Sequence, residues 1–324
     1  MKKKLIILLI IVVIGVIIIF TYFNYRENES NEVNNINHFN KSTTVGEVMK
    51  NISFEGFGNL IFPVDRDFDE NTRLDNIDDI YVWYNYINAD KTVEIVNYMK
   101  DEADSGKQIF YPIYSEEEMQ ANPDKRNTGI FYFRGESGNK MAILNAGGGF
   151  MYVGAMQDSF PHALELSKNG YNAFALIYRP SAAMEDLAKA VAFIFENAEE
   201  LEVDTSSYSV WGGSAGARMA ASLGSYGTES YGEKAYPRPS TVVMQYTGFS
   251  EVTGTEPPTY SVVGTDDGIA NYEVMEERTN RIKANGTDAE IEVFDSLPHG
   301  FGLGIGTKAE GWINHAIEFW EKHM

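Results

Sequence analysis

The apolar and polar positions divide the chain into four stretches of different texture. Three lysines open it, and residues 5–20 are then apolar without interruption, a run that can be stretched to residue 23. That approaches the ~20 residues needed to cross a bilayer, exceeds the ~7–15 of a signal-peptide core, and leaves no polar face for a buried helix. No small-x-small cleavage signal follows it. Residues 1–23 therefore read as an uncleaved signal anchor, with a cleaved signal peptide as the alternative. Lysines ahead of the span favour a cytoplasmic N-terminus, which puts the rest of the chain outside the cytoplasm at the cell membrane.

Residues 24–45 are rich in Asn and Glu with few apolar anchors, the texture of a polar stalk. Residues 46–128 recover apolar content, mixing aromatic, strand-like residues around 77–88 with a helix-like run at 91–103. This reads as an N-terminal extension packed on the main fold. From 129 to 324 short apolar runs alternate with helical periodicity. Strands are predicted at 129–134, 141–145, 172–178, 208–211, 241–246, 260–264 and 290–294, and the clearest helices at 182–199, 215–223, 270–284 and 309–322. The expected fold class is α/β, a mostly parallel central sheet with helices on both faces.

Composition narrows the chemistry. The chain has no cysteine, which excludes disulfides, thiolate metal sites and cysteine nucleophiles. With 26 Lys+Arg against 47 Asp+Glu the net charge is -21, which disfavours nucleic acid and other polyanionic partners. Neutral or cationic small molecules suit such a surface better. No cofactor and no metal is expected.

The segment "SVWGGSAGARMAAS" places Ser214 in a G-x-S-x-G pattern between a strand-like run and a helix-like one, the context in which such a serine stands on a sharp turn. A serine hydroxyl needs a base, usually a histidine held by a carboxylate. Of the five histidines, His38 falls in the stalk, His162 precedes the serine, and His315 and His323 fall on the last helix. His299 stands in the glycine-rich "SLPHGFGLG" after the last predicted strand. Asp266 and Asp267 end another short strand in "YSVVGTDDGIA", and either can serve as the acid, giving the chain order serine, acid, histidine. "LNAGGGF" adds Gly147, Gly148 and Gly149 after an apolar strand, as amide donors for an oxyanion. A phosphate cradle is the rival reading of that run, but neither phosphate-loop spacing is present.

Together, "NAGGGF", "GYNAFALIYRP", "YSVWGGSAGARMAA", "PPTYSVVGTDDGIAN" and "HGFGLGIGTKAEGWINHAIEFW" resemble the α/β-hydrolase fold serine esterases, close to bacterial esterase/lipase-like and acetyl-xylan-esterase-like hydrolases. The resemblance covers residues 129–324 and extends faintly into "FGNLIFP" and "IFYPIYSEEE". It implies Ser214 as nucleophile, His299 as base and Asp267 as acid, with Asp266 as the alternative, and the amides of Gly148, Gly149 and Ala215 as oxyanion donors. Ala146 stands where many relatives have the histidine of "HGGG". The implied activity is hydrolysis of carboxylic esters through an acyl-enzyme. The short connection after Tyr246 leaves no large lid, which points to short acyl groups, such as acetyl, on carbohydrates or small alcohols. Tyr178 and Arg179 can line the pocket, although a structural ion pair is the better reading of Arg179. A serine peptidase of the same fold and a non-catalytic, membrane-tethered binding module are the competing readings.

Overall fold

A computed structural model describes residues 38–63 and 65–324, and Lys41–Met324 form one compact unit. The expected span at 1–23 and residues 24–37 of the expected stalk lie outside the described residues. Among the described residues no helix is long and apolar enough to cross a membrane.

The last stalk positions, 41–45, are folded rather than extended into solvent. Thr44 caps the helix Val45–Met49 by accepting from the Glu47 amide, and the Glu47 carboxylate returns to the Thr44 amide at 2.7 Å. Such a reciprocal cap contributes about 1 kcal/mol, and here it starts a helix at Val45, inside the stretch whose polar texture suggests a stalk. From residue 50 to residue 88 the described chain is loop punctuated by short 3₁₀ turns, Ile52–Phe54, Gly58–Leu60 and Leu74–Ile80, before the helix Ala89–Asp104.

Eight strands among the described residues form one sheet: β1 (Phe110–Tyr111), β2 (Gly129–Phe133), β3 (Lys140–Asn145), β4 (Asn172–Ile177), β5 (Asp204–Gly213), β6 (Thr241–Gln245), β7 (Thr259–Gly264) and β8 (Ala289–Phe294). Their order is β1-β2-β4-β3-β5-β6-β7-β8. The strands from β3 to β8 run parallel to one another, whereas β2 pairs antiparallel with both β4 and the edge strand β1. Every residue of β2, β4, β6 and β7 is buried, as expected of strands covered on both faces.

All seven strands expected from the apolar runs are present. β5 is longer than its apolar portion because Asp204 also pairs, with Lys140, and residues 205–208 are taken up in a register shift before Ser209 pairs with Ala142. The edge strand β1 is only two residues long and carries no readable alternation. The expected helices appear as Ala183–Glu196, Ala215–Tyr226, Tyr272–Ala284 and Trp312–Glu321, joined by Phe160–Lys168, which is buried over most of its length.

Candidate active site

Parallel strands deliver their following loops to one edge of the sheet, and the candidate residues all sit on such loops. Gly147, Gly148 and Gly149 follow β3, Ser214 follows β5, Asp267 follows β7 and His299 follows β8.

Ser214 joins β5 to the helix Ala215–Tyr226 with φ 52° and ψ -112°, a conformation rarely adopted by residues with a side chain. The turn is held by the Ser214 amide donating to the Gln245 carbonyl at 2.9 Å. Its tightness explains two of the flanking glycines. A Cβ on Gly212 would lie 2.2 Å from the Gly216 carbonyl, and one on Gly216 would lie 1.9 Å from the Asn145 carbonyl oxygen.

Ser214 Oγ lies 3.1 Å from His299 Nε2, and His299 Nδ1 lies 2.8 Å from Asp267 Oδ2. The Asp267 side chain is fully buried and that of His299 nearly so. The other oxygen of Asp267 accepts from the amides of Ile269 at 2.8 Å and Ala270 at 2.7 Å, which fixes the carboxylate's orientation. With Nδ1–H donated to Asp267, Nε2 is left as the acceptor facing the serine hydroxyl. Asp266, the other acid considered, is exposed, and the Thr265 hydroxyl approaches it at 3.4 Å.

A pocket of about 370 Å³ opens over this line, walled by Trp83, Tyr84, Gly148, Gly149, Ser214, Ile269 and His299. The Gly147 amide donates to Asp158 Oδ2 at 3.0 Å, so it is already engaged. The Gly148 and Gly149 amides have no protein acceptor among the described residues. Ala215 is the first residue of its helix, where an N–H has no intrahelical acceptor and the helix dipole favours negative charge. The arrangement can abstract a hydroxyl proton and stabilise an oxyanion.

Other expectations are placed as follows. Arg179 is buried, its guanidinium bonded three ways to Asp186, including Nη2 to Oδ1 at 2.6 Å, and the Tyr178 hydroxyl donates to the Ala146 carbonyl at 2.8 Å. Neither lines the pocket. Arg179 forms the structural ion pair, and Tyr178 braces the glycine loop at Ala146. His162 is fully buried, and burial pushes its imidazole down to about 3. His315, on the last helix, pairs with Glu292 at 3.0 Å, and His323, just past the end of that helix, with Asp288 at 3.2 Å; neither lines the pocket.

The chain pattern missed the aromatic wall. Residues 81–86, expected to be strand-like, form an irregular loop in which Trp83 and Tyr86 take φ of 70° and 59°, values no strand accommodates. The loop is tied to the histidine: Asn85 Nδ2 donates to the His299 carbonyl at 2.7 Å, and the Asn85 amide to the Gly300 carbonyl at 3.0 Å. The one available signal was the density of aromatics in "YVWYNY".

Fold and site geometry together define the α/β-hydrolase class, in agreement with the resemblance seen in the sequence. Residues 130–256 match the BD-FAE family. No curated protein matches the chain by sequence. Among solved structures it is similar to an acetyl ester-xyloside bifunctional hydrolase of Caldicellulosiruptor lactoaceticus, at 21% identity and TM-score 0.58 over 66% of this chain and 95% of the other. A thermophilic esterase of Thermogutta terrifontis with bound propionate is similar at 18% identity and TM-score 0.56, over 66% and 93%. An α/β hydrolase from a Medee basin deep-sea metagenome library is similar at 20% identity and TM-score 0.52, over 60% and 92%.

Proposed function

We propose that this chain is a serine hydrolase of carboxylic esters. The observation that carries the reading is the hydrogen-bonded line Ser214–His299–Asp267, opening into a pocket that also presents the amides of Gly148 and Gly149. His299 takes the Ser214 proton as Oγ attacks the ester carbonyl. The Gly148, Gly149 and Ala215 amides receive the developing negative charge, each such donor being worth roughly 2.7–4 kcal/mol. His299 then returns the proton to the leaving alcohol, and a water activated by the same imidazole releases the acid. Asp267 keeps the imidazole in the required tautomer and stabilises its protonated form.

The preferred substrates are short acyl esters, acetyl among them, of carbohydrates or small alcohols. Support comes from the small pocket, and from the connection 247–258, which contains no helix to close over it. The similar structures named above also include an acetyl ester-xyloside hydrolase and an esterase holding propionate. We further propose that residues 1–23 anchor the chain with its catalytic part outside the cytoplasm, the secreted form being the alternative. Protease treatment of intact cells, leaving the chain undigested, would refute that placement.

The chemistry is tested with p-nitrophenyl esters of rising acyl length and a serine-directed phosphonate. The expected result is turnover that is highest for acetyl to butyryl and one label on Ser214, with Ser214→Ala losing at least about 10⁴-fold in kcat. Folded protein that hydrolyses none of the esters and takes no label would refute the reading.

A further inference from the structure

Asp158, the last residue of the short helix Ala155–Asp158, is a buried carboxyl that the chemistry above does not use. Its Oδ2 accepts from the Gly147 amide at 3.0 Å and from the Tyr84 hydroxyl at 2.9 Å, and its Oδ1 accepts from the Tyr246 hydroxyl. One carboxyl thus joins the glycine loop after β3, the irregular loop 81–86 and the end of β6. The backbone is cut away to admit it. A Cβ on Gly213, beside the serine, would lie 2.5 Å from Asp158 Oδ2, and one on Gly147 would lie 2.7 Å from the same atom.

The cluster reaches the histidine as well. The Tyr246 ring stands edge-on to the His299 imidazole with centroids 5.0 Å apart, and its hydroxyl accepts from the Gly302 amide at 3.3 Å. Burial pushes the Asp158 carboxyl above the ordinary aspartate range, while the three donors and the nearby His299 pull it back. A buried group with this many converging donors is costly to leave half-satisfied, so its partners hold one another in place.

We infer that Asp158 is a positioning residue of the active site. It fixes the oxyanion loop through Gly147 and the floor beneath His299 through Tyr246, and Tyr84 makes the loop 81–86 the third leg of the same clamp. The inference rests on the reading of Ser214 as nucleophile. Gly148 and Gly149 follow directly on the anchored Gly147, so their amides are aimed only while that anchor holds. Loosening it displaces donors without removing them, and misplacement of about 1 Å costs on the order of 10²-fold in rate.

The test uses the full chain and the variants Tyr84→Phe, Tyr246→Phe and Asp158→Asn. Three quantities are read: phosphonate labelling rate of Ser214, kcat and KM on p-nitrophenyl acetate, and the thermal unfolding midpoint. Tyr132→Phe is the control. Its hydroxyl lies 2.7 Å from Asn172 Oδ1 and 2.9 Å from the Leu201 carbonyl, remote from the pocket. Asp158→Asn is expected to lower kcat and labelling by about 10²-fold, and each tyrosine variant by about 10-fold, with KM within about twofold of wild type. Tyr132→Phe should lower the midpoint while leaving the kinetics alone. If Tyr84→Phe and Tyr246→Phe label at the wild-type rate and lose only stability, as the control does, the clamp is merely structural and the inference fails. These two variants carry the test should Asp158→Asn not fold. Wild-type protein that takes no label on Ser214 overturns the nucleophile reading, and the clamp's role with it.

Discussion

From residue 129 onward each candidate side chain stands on a loop leaving a parallel strand, so the sheet itself sets the distances between Ser214, His299 and Asp267. Between residues 41 and 88 the chain is mostly irregular loop with a few short helical turns, yet it delivers Trp83 and Tyr84 to the same pocket. One region positions groups by regular hydrogen-bonded elements. The other does so by side-chain bonds to what it packs on, such as Asn85 to the His299 carbonyl and Tyr84 to Asp158. A site can therefore be assembled from a rigid frame and from a segment with almost no regular structure of its own, and the two should respond differently to substitution.

The largest contrast lies between adjacent aspartates on the frame. Asp267→Asn is expected to cost about 10⁴-fold in kcat, because the amide cannot hold the tautomer that His299 needs. Asp266→Asn, at an exposed position, should stay within about twofold of wild type. Steady-state kinetics on a short ester measure both, and equal losses would mean that the sheet does not choose between them.

Acid sensitivity that arises from histidine should belong to the frame, since no histidine occurs between residues 41 and 128. His162, buried and held near 3, binds its proton far less readily when folded than when unfolded. Its contribution to stability is complete above about pH 6.5 and is lost as pH falls towards 3, at roughly 1.4 kcal/mol per pH unit. Thermal midpoints at pH 7 and pH 4 should therefore diverge less in His162→Gln than in wild type. Unchanged divergence would place the acid-sensitive group elsewhere.

The smallest contrast is between two glycines. Gly212→Ala drives a methyl to within 2.2 Å of backbone and should cost about 3 kcal/mol or more. Gly56→Ala meets nothing within 4 Å and suffers only from its φ of 88°, at about 1 kcal/mol. Urea unfolding of the two variants compares the frame with the segment 41–88, and a Gly56 variant as damaging as the Gly212 one would erase the distinction.

Legibility in the sequence follows the same division. Apolar runs bounded by turn residues locate all seven strands from residue 129 onward, most clearly β2, β4, β6 and β7, whose burial on both faces leaves a continuous signature. The serine, acid and histidine were visible because each stands in a local pattern next to a strand. Choosing Asp267 over Asp266 needed the resemblance to a family, since residue type alone treats the neighbours alike. Asp158 had no such signal. Its partners Tyr84 and Tyr246 lie 74 and 88 positions away, and "MQDSF" has no periodicity that marks a buried carboxyl. The run 81–86 was misread because aromatic density favours strands, whereas here tertiary contacts hold Trp83 and Tyr86 in left-handed conformations.

The backbone of Ser214 has a consequence for how this position evolves. At φ 52° the local steric preference is for glycine, and thermodynamic selection acting on position 214 alone would replace the serine. On the reading of Ser214 as nucleophile, the serine stands against the grain of its own turn because the position serves reactivity rather than stability.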